Sequence, residues 1–143
     1  MKEILKGLTE HQAETDPRAL DTRLRGRTYA IPFEDVWQAS LGLASGGLRG
    51  WSLVAADDQQ GRLEVVWHRP LTRAEADIRI DIGLDRNAQT RVDVVVRSRQ
   101  KFGDLGRSRR MVGLFLRRLD RQLGAEARQI LDPSISSAYG VES

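Results

Sequence analysis

The sequence has no cysteine, two histidines and few aromatic side chains, and it contains no long apolar run. Without cysteine the chain cannot build a disulfide framework, a thiol nucleophile or a zinc finger, and two histidines argue against a metal centre. The motifs of serine hydrolases, zinc peptidases, phosphate loops and redox dithiols are absent as well. We therefore expect no metal and no cofactor, and we favour a protein that is not an enzyme.

The beginning of the chain carries Glu3 and no apolar stretch approaching the roughly 20 residues that a membrane span needs. This pattern predicts neither a secretion signal nor a membrane anchor, so we expect a cytoplasmic protein. The 143 residues fit a single domain with one core.

Positive charge is concentrated towards the carboxy-terminal end, although the net charge is only +3. Nine arginines and lysines lie between Arg97 and Arg121, opposed by Asp104 and Asp120. Such a basic segment is typical of a surface that contacts nucleic acid or an anionic membrane. The alternative is a solvated helix face in a chain that uses 20 arginines and 3 lysines.

The hydrophobic pattern predicts one domain over residues 25–124, between an amino-terminal arm at residues 1–24 and a carboxy-terminal tail at residues 125–143. Alternating apolar residues predict strands, and apolar residues three and four apart predict helices. The predicted strands are residues 27–31, 51–56, 62–68, 77–84 and 91–99, and the predicted helices follow Pro32 and Asp104. We expect an α+β fold, with an antiparallel sheet of about five strands and two helices packed on one face.

The charges on the last two strands predict a register in which opposite charges face each other. The expected partners are Asp81 with Arg91, Arg79 with Asp93, and Glu75 with Arg97. This register leaves a three-residue loop at residues 85–87, with Asn87 as the candidate for a left-handed backbone.

A strand, an Arg-Ser-Arg sequence, a glycine turn and an Asp-Leu-Gly helix start together resemble the uncharacterised family called domain of unknown function 1499. The matching residues are Val92, Asp93, Arg97, Ser98, Arg99, Gly103, Asp104, Leu105, Gly106, Phe115 and Leu119. The resemblance extends back to Ile31 and covers about two thirds of the chain. It implies a fold, and it supplies no reaction because the family has no established activity.

Two surfaces are candidates for binding. The first is an anion or partner contact at the basic segment, formed by Arg97, Arg99, Lys101, Arg109, Arg110, Arg117 and Arg118. The glycine turn before the last helix could hold an anion on its backbone N–H groups, although we favour Asp104 as the cap of that helix. The second is an apolar interface of Val54, Val66 and Val95 on the outward side of the sheet, for a protein partner or a homo-oligomer.

These observations predict a small non-catalytic binding or interaction module, oligomeric through its sheet. One alternative is a binder of nucleic acid or an anionic membrane through the basic carboxy-terminal helix. A second is a small-ligand carrier of the START-like kind, suggested by the strand, proline and helix with Val36 and Trp37.

Overall fold

The computed structural model describes residues 12–16, 26–99 and 105–131 of the chain. In chain order its elements are β1 (Gln12–Glu14), β2 (Arg27–Tyr29), α1 (Phe33–Gly42), a π-helical turn (Leu43–Gly47), β3 (Trp51–Asp57), β4 (Arg62–His68), β5 (Glu75–Leu84), β6 (Thr90–Ser98), α2 (Leu105–Gln122), a 3₁₀ turn (Ala127–Gln129) and β7 (Ile130–Leu131). Lys101, Asp104 and the glycine turn, for which predictions were made above, lie outside the described residues.

The strands form one antiparallel sheet in the order β3-β4-β5-β6-β2-β7, and β1 pairs with β6 beside this path. The predicted α+β class with an antiparallel sheet is confirmed. The sheet has seven strands where about five were expected, because β1 lies in the predicted arm and β7 in the predicted tail. At three and two residues, these strands are too short for alternation to reveal them.

Both helices pack on the same face of the sheet, which we call the inner face. Trp51 of β3 stacks on Phe115 of α2, with ring centroids 5.6 Å apart. From α1, Val36 and Trp37 are buried, and Phe33 stacks on Trp37 at 5.9 Å. Most of the strand residues that the alternation predicts to point inward are buried; they are Leu63, Val65, Ile78, Ile80, Ile82, Val92, Val94 and Val96. Leu84, which continues the same alternation at the end of β5, is 62% exposed, contrary to the prediction.

Helix α1 begins directly after Pro32, with Glu34 and Asp35 in its first turn at the positive end of the helix dipole. Helix α2 ends before Gly124, whose φ of 60° is the left-handed conformation that glycine adopts without strain. No helix among the described segments is long and apolar enough to cross a membrane.

The predicted register between β5 and β6 is wrong. Asp81 lies opposite Asp93, and Gly83 lies opposite Arg91, so the pairing is shifted by two residues. The two aspartates tolerate each other because each is bound by its own arginine: Arg79 Nε is 3.1 Å from Asp81, and Arg91 Nη2 is 2.7 Å from Asp93. Both arginines are two residues away on the same strand and the same face, so the ion pairs do not require opposite charges across the strands.

The loop between these strands is longer than predicted. It spans residues 85–89, because Leu84 still pairs with Thr90. The Asp85 carboxylate accepts hydrogen bonds from the backbone N–H groups of Asn87 and Gln89, at 2.8 and 3.0 Å. Ala88, with φ of 60°, takes the left-handed conformation that we had expected at Asn87, because the Asp85 carboxylate stabilises this longer turn.

Candidate binding surfaces

One surface is the exposed side of α2, which we call the basic face. Its four arginines are Arg110, Arg117, Arg118 and Arg121, and all are exposed. They recur at intervals of seven, one and three residues and therefore share one side of an α-helix. None of the four has an ion-pair or hydrogen-bond partner among residues 12–16, 26–99 and 105–131.

A single large apolar side chain lies within this face. Leu114 is 37% exposed, one turn after Arg110. At the end of the face, Arg118 and Arg121 also line a cleft of about 340 Å³ between α1 and α2, together with Gln38 and Gln122. The basic face is thus strongly cationic, contains little apolar area and continues into a cleft that is lined by both polar and apolar residues.

Arg109 does not belong to this face, contrary to the prediction. It is turned by about 100° from Arg110, and it shares its side of the helix with the buried Gly113 and Leu116. Its Nε atom is buried and has no hydrogen-bond partner among the described residues. The prediction placed Arg109 in solvent because it grouped Arg109 with the neighbouring arginines and not with the apolar side of the helix. Arg121, which was not among the predicted contacts, takes the place of Arg109 on the basic face.

Arg107 occupies the first turn of α2 and covers a tryptophan of the sheet. Its guanidinium carbon lies 5.6 Å from the centre of the Trp67 ring, within the range of a cation–π interaction. Trp67 is only partly buried, so the arginine screens the exposed end of the core from water.

The other predicted basic contacts, Arg97 and Arg99, lie on the opposite side of the molecule. They extend from β6 and its end on the side of the sheet that faces away from the helices, which we call the outer face. The structure therefore does not join them with the arginines of α2 into one anion site. Arg99 binds the carboxylates of Glu75 and Asp77 at 2.7 and 2.6 Å.

The paired charges on the outer face shift each other's titration. The Arg99 hydrogen bond lowers the pKa of Asp77 and outweighs the opposing effect of burial, and the charges of Arg99 and Arg97 lower it further. The Asp77 hydrogen bond and charge raise the pKa of Arg99. The pKa of Arg62 is raised in the same way, because its Nε donates a hydrogen bond to the Asp81 carboxylate at 2.9 Å. The outer face thus neutralises much of its own charge.

The predicted apolar interface lies on this outer face but is not continuous. Val54, Val66 and Val95 all line a shallow groove of about 510 Å³. Val66 on β4 and Val95 on β6 are separated by β5, which places Asp77 opposite Val66 and Arg79 opposite Val95. Val54 is 63% exposed, whereas the other two valines are partly buried. The groove is consequently a mixed surface of three valines among charged side chains.

A buried polar contact that the sequence did not predict ties the sheet to α2. The Tyr29 hydroxyl donates a short hydrogen bond to Asp120, and Arg27 Nε lies 3.3 Å from the same carboxylate. Burial raises the pKa of Tyr29 above its ordinary value, and the hydrogen bond and charge of Asp120 raise it further. Because Tyr29 and Asp120 are 91 positions apart, no local pattern could have paired them.

The described residues offer no metal-ligating cluster of three or more histidine, cysteine or acidic side chains. His68 is exposed at the end of β4, and His11 lies outside the described residues. Comparisons with known proteins add no family: no family model matches the sequence, and the search of curated proteins finds no significant match. The resemblance to the domain of unknown function 1499 family stays a prediction.

Proposed function

We propose that this protein is a non-catalytic binding module of the cytoplasm and that the basic face of α2 binds the phosphate backbone of nucleic acid. The observation that carries this proposal is the contrast in pairing. Arginines of the outer face bind carboxylates of their own sheet, whereas Arg110, Arg117, Arg118 and Arg121 have no acidic partner among the described residues. Unpaired guanidinium groups on a rigid helix are suited to phosphate oxygens, which they can bind through two parallel hydrogen bonds.

The dimensions of the basic face fit this partner. Arg110 and Arg121 are eleven residues apart, which corresponds to about 16 Å along a helix. Several phosphates of a nucleic-acid strand lie within that length, since they repeat at intervals of a few ångströms. No aromatic residue accompanies the arginines on this side of α2, so the proposed contact is to the backbone and not to stacked bases.

An anionic membrane is a weaker candidate for the same face. An interfacial helix buries a broad apolar side in the lipid, but the apolar side of α2 already packs against the sheet through Val112, Phe115 and Leu119. Leu114 is the large apolar side chain that remains exposed on the helix among the described residues. One leucine provides little area for insertion.

A protein partner is a second candidate function, and it is favoured at the outer face. There Val54 is mostly exposed and the groove of about 510 Å³ offers apolar and charged groups together. A START-like carrier of a small ligand has less support. The region between the sheet and α2 is occupied by packed side chains, among them Trp51 stacked on Phe115.

The test is the binding of a labelled random-sequence DNA duplex, followed by fluorescence anisotropy at low and at physiological salt. We expect binding at low salt that weakens steeply as salt rises, because each neutralised phosphate releases condensed counterion. Vesicles with anionic headgroups serve as the comparison. Absence of duplex binding at low salt would contradict the proposal, and binding to vesicles alone would assign the face to membranes.

A further inference from the structure

Strand β3 forms one edge of the sheet and has properties that edge strands usually avoid. It pairs with β4 on one side, and no described strand lies on its other side. Exposed edges are normally protected by charged residues, proline or a bulge, since unpaired N–H and C=O groups can recruit another strand. The strand contains no proline, and its one charged residue is Asp57 at its end.

The side chains along this edge are small or apolar and open to solvent. Val54 is 63% exposed, and Ser52, Ala55 and Ala56 are exposed as well. The strand has one irregularity, a bulge between Leu53 and Ala55. A bulge alone can discourage pairing with a regular strand, but it is compatible with a partner that has the same bulge at the same place.

Opposite charges mark the two ends of the edge. Arg49 precedes β3 and Asp58 follows it, and both side chains are exposed. Neither has an ion-pair or hydrogen-bond partner within the described parts of the chain. In an antiparallel pair of identical strands, the beginning of one strand meets the end of the other. Each Arg49 would then approach the Asp58 of the other copy, twice in one symmetric interface.

We propose that β3 pairs antiparallel with β3 of a second copy of this chain, which joins two sheets into one across a two-fold axis. In this register Trp51 faces Ala56 of the second copy, and Ser52 faces Ala55 of the second copy. The bulge makes these pairs consistent: Trp51 and Ala56 both point to the inner face, and Ser52 and Ala55 both point to the outer face. The two bulges coincide at the axis.

This arrangement buries the apolar part of the edge and uses charges that have no partner among the described residues of the single chain. Leu53 and Val54 of both copies meet near the axis, where Val54 loses much of its exposure. The small side chains of Ala55 and Ala56 leave room for the second copy to approach. The proposal does not depend on nucleic-acid binding, because none of its residues lies on α2. An extended peptide from another protein is the competing occupant of the edge.

The test measures the molar mass of the full chain by light scattering over a concentration series. The variants are Arg49→Asp, Asp58→Arg and the double exchange Arg49→Asp with Asp58→Arg. We expect a dimer for the unaltered chain and dimerisation weaker by about tenfold for each single variant, because two attractive pairs become repulsive. The double variant should dimerise like the unaltered chain, and so should an equimolar mixture of the two single variants.

Both substituted residues are exposed, so thermal unfolding serves as the control for intact folding. A monomeric unaltered chain at the highest attainable concentration would overturn the proposal and leave the edge to another protein. A dimer that is insensitive to all three variants would also overturn it, since another surface would then hold the copies together. A double variant that stays as weak as the single variants would exclude the proposed register and overturn the pairing as stated.

Discussion

The outer face of the sheet and the basic face of α2 are both rich in arginine, yet they differ in what the arginines bind. On the sheet, Arg62 and Arg79 share Asp81, and Arg99 binds Glu75 and Asp77. On the helix, four arginines have no acidic partner among the described residues. The number of basic residues in a segment is therefore a poor guide to a binding surface, and what matters is the charge that remains unpaired after folding.

The difference arises from the periodicity of the two elements. On a strand, residues two apart share a face, and Arg79–Asp81 and Arg91–Asp93 are such pairs. Neighbouring strands add further carboxylates, as Arg62 shows by binding Asp81 across the sheet. On α2, the acid that belongs to the segment is Asp120, and it is used by Tyr29 and Arg27. Among the described residues, no carboxylate then remains for the exposed side of the helix.

The two faces of the sheet should also differ in how much their valines stabilise the fold, because the valines of the inner face are buried in the core and those of the outer face are not. Val94 is fully buried, so Val94→Asp would place an unpaired charge in the core. We expect a loss of about 3 kcal/mol or more in the free energy of unfolding, which is a large fraction of the roughly 5–15 kcal/mol that stabilises a typical domain. At a concentration where the chain is monomeric, Val54→Asp, the matched change at a residue 63% exposed, should have a small effect. Urea denaturation of both variants measures the difference. Equal losses of unfolding free energy would contradict the assignment of Val94 to the core and of Val54 to the surface.

A second prediction compares two neighbouring charged residues of α2, one that binds the sheet and one that is exposed to solvent. Asp120→Ala removes the acceptor of the buried Tyr29 hydroxyl and the partner of Arg27, and should cost about 2 kcal/mol. Arg121→Ala changes the next residue along the helix, which is exposed and has no partner among the described residues, and should cost under about 0.5 kcal/mol. Thermal and urea unfolding give both values. Similar costs would show that the exposed arginine has a structural role.

The same contact predicts a pH dependence at the alkaline end. Because the folded state raises the pKa of Tyr29, its contribution to stability is complete below the ordinary tyrosine pKa of about 10. Above that pH the unfolded chain loses the phenolic proton while the folded chain keeps it, so stability falls as pH rises. Tyr29→Phe should reduce this alkaline loss in urea titrations. A variant with the same alkaline slope as the unaltered chain would contradict the buried contact.

The smallest effect is expected from a paired arginine of the outer face. The folded state lowers the pKa of Asp77, so the contribution of this carboxylate is present above about pH 4 and is lost as pH falls. Arg99→Gln should flatten that acid limb, and Arg117→Gln should leave it unchanged because Arg117 has no described partner. The effect is small because Arg99 and Asp77 are both half-exposed. Unfolding midpoints between neutral and acidic pH distinguish the two variants.

The sequence predicted the faces of the strands well and their register poorly, for one physical reason. A shift of two residues keeps every apolar side chain on the same face, so the alternation that places Ile80 and Val94 in the core cannot choose between the two registers. Charge was the remaining guide, and it failed at Asp81 and Asp93 because each carboxylate is bound within its own strand.

The binding surfaces were predictable in part. Helical periodicity placed Arg110, Arg117 and Arg118 correctly in solvent, but Arg109 lies one residue away and is turned into the buried side. The three valines line one groove, but charged side chains of β5 lie between them. Which β5 residues lie there depends on the register, and the sequence did not predict the register correctly. That β3 is an edge strand follows from the strand order, which the alternation of apolar and polar residues does not reveal.

Equal losses of charge on the two faces test directly whether the arginines without a described acidic partner are the ones that bind nucleic acid. One variant replaces Arg110, Arg117, Arg118 and Arg121 by glutamine, and the other replaces Arg62, Arg79, Arg91 and Arg99 by glutamine. Duplex DNA binding is measured by anisotropy over a salt series, with thermal unfolding as the control for folding. We expect the helix variant to lose most of the salt dependence, up to about 3.6 in the slope of log K against log salt for four phosphate contacts, while the sheet variant keeps it. A sheet variant that loses binding as fully as the helix variant would show that paired and unpaired arginines bind DNA alike, and would overturn the proposed role of the basic face.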